Sequence, residues 1–203
     1  MKVYTVSSTV PYASACYIVV SGGWFSVIDP SVCYADAARQ IEGIAHLKPR
    51  YVLLTHAHVD HFLAIESYTE LGMQVFVGSP DADKLRFENQ NAAFLFPSAP
   101  RGYFGACTSV NEGQGIDIGE EVLSVIMLPG HTSGSVAYVG GGIAFVGDTV
   151  FARGYGRYDL FSGDYRSLAA SIGRVLVLDG GTLLYPGHGP SATVDEIRCN
   201  FIF

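Results

Sequence analysis

The chain has 203 residues, 49% hydrophobic, 12% aromatic and 15% charged, a composition that excludes disorder and suits one globular domain over 1–203. Its formal net charge is −7, and its twelve Lys and Arg are scattered without a run, which argues against a nucleic-acid partner. The longest apolar run, Ala15 to Val20, falls far short of the roughly 20 residues of a membrane span, and Met1 to Thr5 has no signal-peptide character, so a cytoplasmic chain with no membrane partner is expected.

The first third reads as strands. Ala15–Val20, a Ser21-Gly22-Gly23 turn and Trp24–Ile28 form a hairpin that Asp29-Pro30 ends. Apolar residues at helical spacing predict a helix from about Tyr34 to His46, stopped by Lys48-Pro49. Tyr51–Leu54 is a buried strand. A helix from Phe62 to Leu71 follows, closed by Gly72, and then a strand at Gln74–Val77. Residues 88–111 are irregular and carry Phe94, Phe96, Tyr103 and Phe104, which are either an aromatic wall over a site or buried anchors. Strands near Glu121–Leu128, Ser135–Val139 and Ile143–Val146 come next. A helix Tyr165–Val177, a strand Leu183–Tyr185 and a short helix Val194–Cys199 complete the body. The apolar tail, Phe201-Ile202-Phe203, is expected to plug against the body or to contact a second copy. The order of elements gives α/β or α+β layers with helices covering the sheets. The cysteines (Cys16, Cys33, Cys107, Cys199) have no paired spacing and are expected reduced and mostly buried.

Five of the six histidines follow predicted strands. Directly after Leu54 comes Thr55-His56-Ala57-His58-Val59-Asp60-His61. In extended chain, residues i, i+2 and i+4 share a side, so His56, His58 and Asp60 can converge and a turn can bring His61 to them. Imidazole and carboxylate are donors for zinc and similar divalent metals. Three further sites have the same placement: Pro129-Gly130-His131-Thr132, Gly147-Asp148-Thr149 and Pro186-Gly187-His188-Gly189. His46, at a predicted helix end, has no such setting. Seven donors exceed one catalytic metal, whereas two metals about 3.5–4 Å apart share a carboxylate and a water.

These four motifs, in this order, resemble the metallo-β-lactamase superfamily, and most closely its glyoxalase II-like branch of hydroxyacylglutathione hydrolases and short relatives. The resemblance implies a four-layered αβ/βα sandwich of two mixed sheets with helices on the outer faces. It implies His56, His58 and His131 on a first metal, Asp60, His61 and His188 on a second, and Asp148 bridging them. Asp60 and Asp148 would then act in catalysis with a metal-bridging hydroxide that attacks an acyl carbonyl. Zinc is expected, with iron or manganese as alternatives. The bridging carboxylate sets this branch apart from the true β-lactamases, so β-lactam hydrolysis is not expected. Thioester hydrolysis fits best, because a thiolate leaves with little help from an acid.

The chain departs from the branch at Ser31, where a glycine is usual, and at Phe62-Leu63. It also stops at Phe203, without the C-terminal helical domain that supplies basic groups to glutathione. Within Ala152–Asp159, Tyr155 and Arg157 are candidate substrate contacts. Arg157 either recognises an anionic group or pairs with Asp159 or Asp164. The same stretch resembles mononuclear-iron persulfide dioxygenases, the rival reading, and a lactonase is a further one. The expected partner is a small-molecule thioester or related acyl compound, for a monomer or homodimer.

Overall fold

The computed structural model describes residues 1–200. Strands β1 (Lys2–Val6), β2 (Cys16–Ser21) and β3 (Trp24–Ile28) lead to helix α1 (Tyr34–Gln40), strand β4 (Lys48–Leu53), helix α2 (Glu66–Thr69) and strands β5 (Gln74–Gly78) and β6 (Cys107–Val110). A second series follows: β7 (Gly115–Asp117), β8 (Val122–Met127), β9 (Val136–Gly140), β10 (Ile143–Gly147), the small hairpin β11 (Val150–Phe151) and β12 (Gly154–Tyr155), α3 (Tyr165–Leu176), β13 (Leu183–Pro186), β14 (Ala192–Thr193) and α4 (Val194–Asn200).

The strands build two six-stranded mixed sheets, in the orders β1-β2-β3-β4-β5-β6 and β14-β13-β10-β9-β8-β7. In the first, β3 to β6 run parallel; in the second, only β10 and β13 do. Period-two alternation assigns each strand two faces. In β2, Cys16 and Ile18 pack with Ala37 of α1 and Tyr68 of α2, whereas Tyr17 and Val19 pack between the sheets with Leu123, Tyr138 and Phe145. On the far side, Ala144, Val146 and Leu184 meet Leu168, Ile172 and Ile197 of α3 and α4. Three cores between four layers make the αβ/βα sandwich.

Two buried tyrosines tie the sheets together next to the functional loops. The Tyr17 hydroxyl donates to the Pro186 carbonyl at 2.6 Å, and the Tyr138 hydroxyl donates to the Leu54 carbonyl at 2.9 Å. Leu54 precedes the histidine cluster and Pro186 precedes Gly187-His188, so both loops hang from fixed carbonyls.

Several elements differ from expectation. The helix predicted to His46 ends at Gln40, because Gly43 takes φ +80° and only a 3₁₀ turn, Ile44–His46, follows. Lys48 and Pro49 do not stop a helix; they open β4, in register with Trp24 and Phe25. Between Phe62 and Leu71 the only α-helical turn is Glu66–Thr69, flanked by i→i−3 hydrogen bonds. Residues 88–111 contain strand β6, and β1, β7, β11, β12 and β14 are additional. The four cysteines are unpaired, but only Cys16 is buried; Cys199 is exposed. No helix among the described residues is long and apolar enough to cross a membrane. The expected role of Phe201–Phe203 lies outside the described residues.

Candidate metal centre

Each histidine and aspartate of the four motifs sits just beyond the C-terminal end of a strand, where ligands of α/β sheets gather. After β4 the chain bends at Thr55 and His56, is extended at His58, at φ −78°, ψ 141°, and then turns in a 3₁₀ turn, Val59–His61. His131 follows β8, Asp148 follows β10 and His188 follows β13. The turn divides the first motif. His56 and His58 meet His131, while Asp60 and His61 meet His188.

The rings of His56, His58 and His131 form a near-regular triangle. Their centroids are 4.8, 4.6 and 4.6 Å apart and their planes cross at 83–86°. In the second group, His188 Nε2 lies 3.2 Å and His61 Nε2 3.7 Å from Asp60 Oδ2. Asp148 reaches both groups: Oδ1 is 3.4 Å from His61 Nε2, and Oδ2 is 3.6 Å from both His131 Nε2 and His188 Nε2. His56, His58, Asp60, His61 and His131 are buried, and Asp148 and His188 partly so.

Neighbouring acceptors fix the tautomers. His131 Nδ1–H donates to the Arg157 carbonyl at 2.6 Å, and His61 Nδ1–H to Asp29 Oδ2 at 2.9 Å. Thr55 spends its only hydroxyl proton on Asp29 Oδ2, at 2.7 Å, so toward His56 Nδ1, 3.1 Å away, it accepts. All three rings therefore turn Nε2 toward the donor cluster, and in neutral His56 and His131 that nitrogen is bare. His56 Nε2 and His131 Nε2 face each other at 3.1 Å, two lone pairs that only a cation or an added proton reconciles. His58 Nε2, His61 Nε2 and Asp148 Oδ1 are buried without a hydrogen-bond partner. Such orphans are rare away from functional sites. The donor set fits divalent transition metals.

Electrostatics point the same way. Burial, reinforced by the surrounding imidazoles, holds His56 well below its ordinary range and takes His58 down to about 3, so both stay neutral donors. Burial also opposes charge on Asp148, but His61, His131 and His188 outweigh it and hold the carboxyl below its usual range. For His61, burial is overcome by Asp29, Asp148 and Asp60, which raise the imidazole well above normal. Three carboxylates around one buried ring are a field that selects a cation.

Residues with no pattern in the sequence hold this arrangement. Asp29 takes φ +50° at the end of β3 and receives the Thr55 amide and hydroxyl as well as His61. Asp81, fully buried, receives the amides of Ala57 and Gly134, the Thr132 hydroxyl and the Lys84 ammonium. It thus clamps the His56–His58 loop to the His131 loop. At Gly187 a Cβ would collide with the Asp148 carboxylate and the His61 ring, which requires glycine there.

The two donor groups open on a cavity of about 410 Å³, lined by His58, Asp60, His131, Asp148 and His188 and, opposite them, by Tyr12, Leu95, Phe96 and Leu160. Of the aromatic residues in the 88–111 segment, Phe96 lines this cavity, stacked on Tyr12 at 4.4 Å. Phe94 and Phe104 are exposed and Tyr103 is a buried anchor, so both expectations hold in part. Arg157 lies at the cavity edge, and its guanidinium makes two hydrogen bonds to Asp159, at 2.8 and 3.0 Å. Tyr155, in β12, is 44% exposed, and the lining runs through its neighbours Gly156 and Arg157. His46 is exposed and far from this cluster in the fold, on the turn before β4.

Comparison with known proteins gives the family and the fold. Residues 9–188 match the family model of the metallo-β-lactamase superfamily. The hydroxyacylglutathione hydrolase GloC of Haemophilus influenzae is 31% identical over 184 residues, 84% of this chain and 82% of that one. The crystal structure of BLEG-1 B3 metallo-β-lactamase superposes with a TM-score of 0.86 at 27% identity, covering 96% of this chain and 95% of that one. TTHA1623 in a di-iron-bound form gives 0.84 at 31% identity, with 96% of each chain covered. The chain belongs to the metallo-β-lactamase superfamily, and its fold is that of a metallohydrolase with a candidate metal-binding His/Asp cluster.

Proposed function

We propose that this member of the metallo-β-lactamase superfamily holds two divalent cations and hydrolyses thioesters. The observation that carries the reading is the convergence of two donor triads, His56/His58/His131 and Asp60/His61/His188, each with its ligand atoms within 4.8 Å of one another, with Asp148 in reach of both. One triad would hold each cation and Asp148 would join them. Zinc suits these donors, and the di-iron form of TTHA1623 makes iron the alternative. When bound, such a pair brings the pKa of a water to about 7 and stabilises negative charge on a carbonyl oxygen.

The chain's own residues supply the rest. Asp29, Thr55 and the Arg157 carbonyl fix the imidazoles, so the donors do not reorganise during reaction. The stacked Tyr12 and Phe96 rings and Leu95 restrict water at the reacting carbonyl. Water oxygen bonds to the acyl carbon, the C–S bond breaks, and the thiolate departs with the electron pair. Free thiols ionise near ~8.5, so no side chain need protonate the sulfur in the transition state. Asp60 and Asp148, as the carboxylates nearest the reacting centre, accept hydrogen bonds from the water and orient it; its proton passes to solvent, because both carboxyls are held below their usual range. Arg157, with Tyr155 beside it, contacts an anionic group on the thiol carrier, sharing its guanidinium with Asp159.

Hydrolysis of S-lactoylglutathione and of S-butanoylglutathione by the metal-loaded chain, measured beside nitrocefin and beside oxygen uptake on glutathione persulfide, tests the proposal. Thioester turnover that exceeds both others supports it. Nitrocefin turnover alone would make the chain a β-lactamase, and oxygen uptake with one iron per chain would make it a dioxygenase.

A further inference from the structure

The proposed reaction leaves the acyl group open, and the cavity walls bear on it. Beyond the donor residues, the lining consists of Tyr12, Ala92, Leu95, Phe96, Phe151, Gly156, Arg157 and Leu160. Among the described residues of this lining, the polar side-chain groups other than metal donors are the Tyr12 hydroxyl and the Arg157 guanidinium. The latter is already bonded twice to Asp159.

The charged side chain and the wall of Tyr12, Leu95 and Phe96 come from different segments. The segment 151–160 brings Arg157 to this cavity, and Phe151 and His188 continue it into a second cavity lined by Arg153. The loop before β2 and the segment 92–96 bring Tyr12, Ala92, Leu95 and Phe96, and no charge. This second wall is built rather than loose. Asn91 is fully buried; its amide donates to the carbonyls of Leu85 and Arg101, its side-chain oxygen accepts the Ala93 amide, and its own carbonyl accepts the Val59 amide at 2.8 Å. Val59 adjoins Asp60, so the apolar wall is pinned to the metal loop one residue from a donor. Ala92 is held at φ +61° and is itself buried, a strained conformation that persists where its surroundings enforce it. The Tyr12–Phe96 stack closes this end, since Tyr12 also lines the separate, hydroxyl-rich cavity behind it.

Resting on the thioesterase reading, we infer that the wall formed by Tyr12, Leu95 and Phe96 binds an apolar acyl chain, so that the substrates are thioesters of alkyl or aryl carboxylic acids rather than of small hydroxy acids. A hydroxyacyl group would lose water from its hydroxyl against this wall and find only the Tyr12 hydroxyl there, which costs affinity. An alkyl chain gains from the same burial, and a polar thiol carrier finds its charge partners on the segment with Arg153 and Arg157.

The test uses N-acetylcysteamine thioesters, which keep the carrier constant while the acyl group runs from acetyl through butanoyl to hexanoyl, with lactoyl as the polar comparison. For the metal-loaded enzyme, kcat/KM is expected to rise up to about fourfold per methylene, the equivalent of ~0.8 kcal/mol per buried CH₂. Butanoyl should exceed lactoyl by tenfold or more. Leu95→Asn, at a site already 41% exposed, should flatten the slope of the series without unfolding the chain. A flat series, or lactoyl outrunning butanoyl, overturns the inference. Calorimetric titration of the same thioesters into the metal-free chain separates the two claims. Hexanoyl binding more tightly than lactoyl, with no thioester turned over, sustains the apolar wall and defeats the thioesterase; equal binding overturns the wall.

Discussion

His56 Nε2 and His131 Nε2 stand 3.1 Å apart, and neither ring has a proton there for the other. The cause lies one bond away, in Nδ1–H groups committed to Thr55 and to the Arg157 carbonyl. Asp29 stands behind both Thr55 and His61, so it governs two of the imidazoles from outside the cavity.

Asp29→Asn removes that charge while keeping the turn, because asparagine tolerates positive φ. Metal affinity should fall 10- to 100-fold, measured by competition with a chelator. Unchanged affinity would show that the donors do not need their orienting carboxylate.

Asp148→Ala should lower thioester hydrolysis at least a hundredfold and lose at least one of the two metals, as read by elemental analysis. His46→Ala, on an exposed turn, should leave both unchanged. An active Asp148→Ala protein with full metal content would contradict the joining role of this carboxylate.

The motif histidines were legible in the sequence because alternation after an apolar strand puts side chains on one face, and because the other three motifs repeat the strand-then-glycine setting. The division of labour within the first motif came from the family resemblance and not from spacing: extended spacing alone sends Asp60 with His56 and His58, and the 3₁₀ turn at Val59 sends it to His61 instead. The paired sheets followed from strand runs around glycine turns, yet β1 and β6 escaped notice since Lys2, Thr5 and Ser109 break the apolar signal of strands that are partly exposed. Asp29 and Asp81 carry no local signature, as a single aspartate at a strand end looks like any turn residue until its partners from distant loops are seen. The helix expected to His46 failed on Gly43, whose positive φ outweighed the apolar spacing around it.

Asp81→Ala strands the buried Lys84 ammonium and should destabilise the chain by about 3–5 kcal/mol in urea denaturation. Adding Lys84→Met should not restore full stability, because the Ala57 and Gly134 amides and the Thr132 hydroxyl still lack their acceptor. Full recovery in the double variant would mean that Asp81 serves only the lysine.

Burial pushes the Cys16 thiol up to about 12, against ~8.5 for a free thiol. The folded state thus keeps a proton that the unfolded chain releases. Its contribution to stability is full below pH ~8.5 and declines as pH rises from there toward 12. At pH 9, iodoacetamide should label exposed Cys199 readily and spare Cys16 until the chain unfolds, as peptide mass mapping would show. Equal labelling of both would contradict the sealed core around Cys16.

Arg157→Ala deletes the guanidinium and keeps the carbonyl that His131 uses, so metal content should hold while KM rises for thioesters with an anionic carrier. An unchanged KM would leave Arg157 as a partner of Asp159 alone.

Calorimetric titration of Zn²⁺ into the chelator-stripped chain bears most directly on the paired cations. Two equivalents per chain, with thioester hydrolysis reaching its maximum only as the second is filled, are expected. Saturation at one equivalent, or full activity reached there, would contradict it.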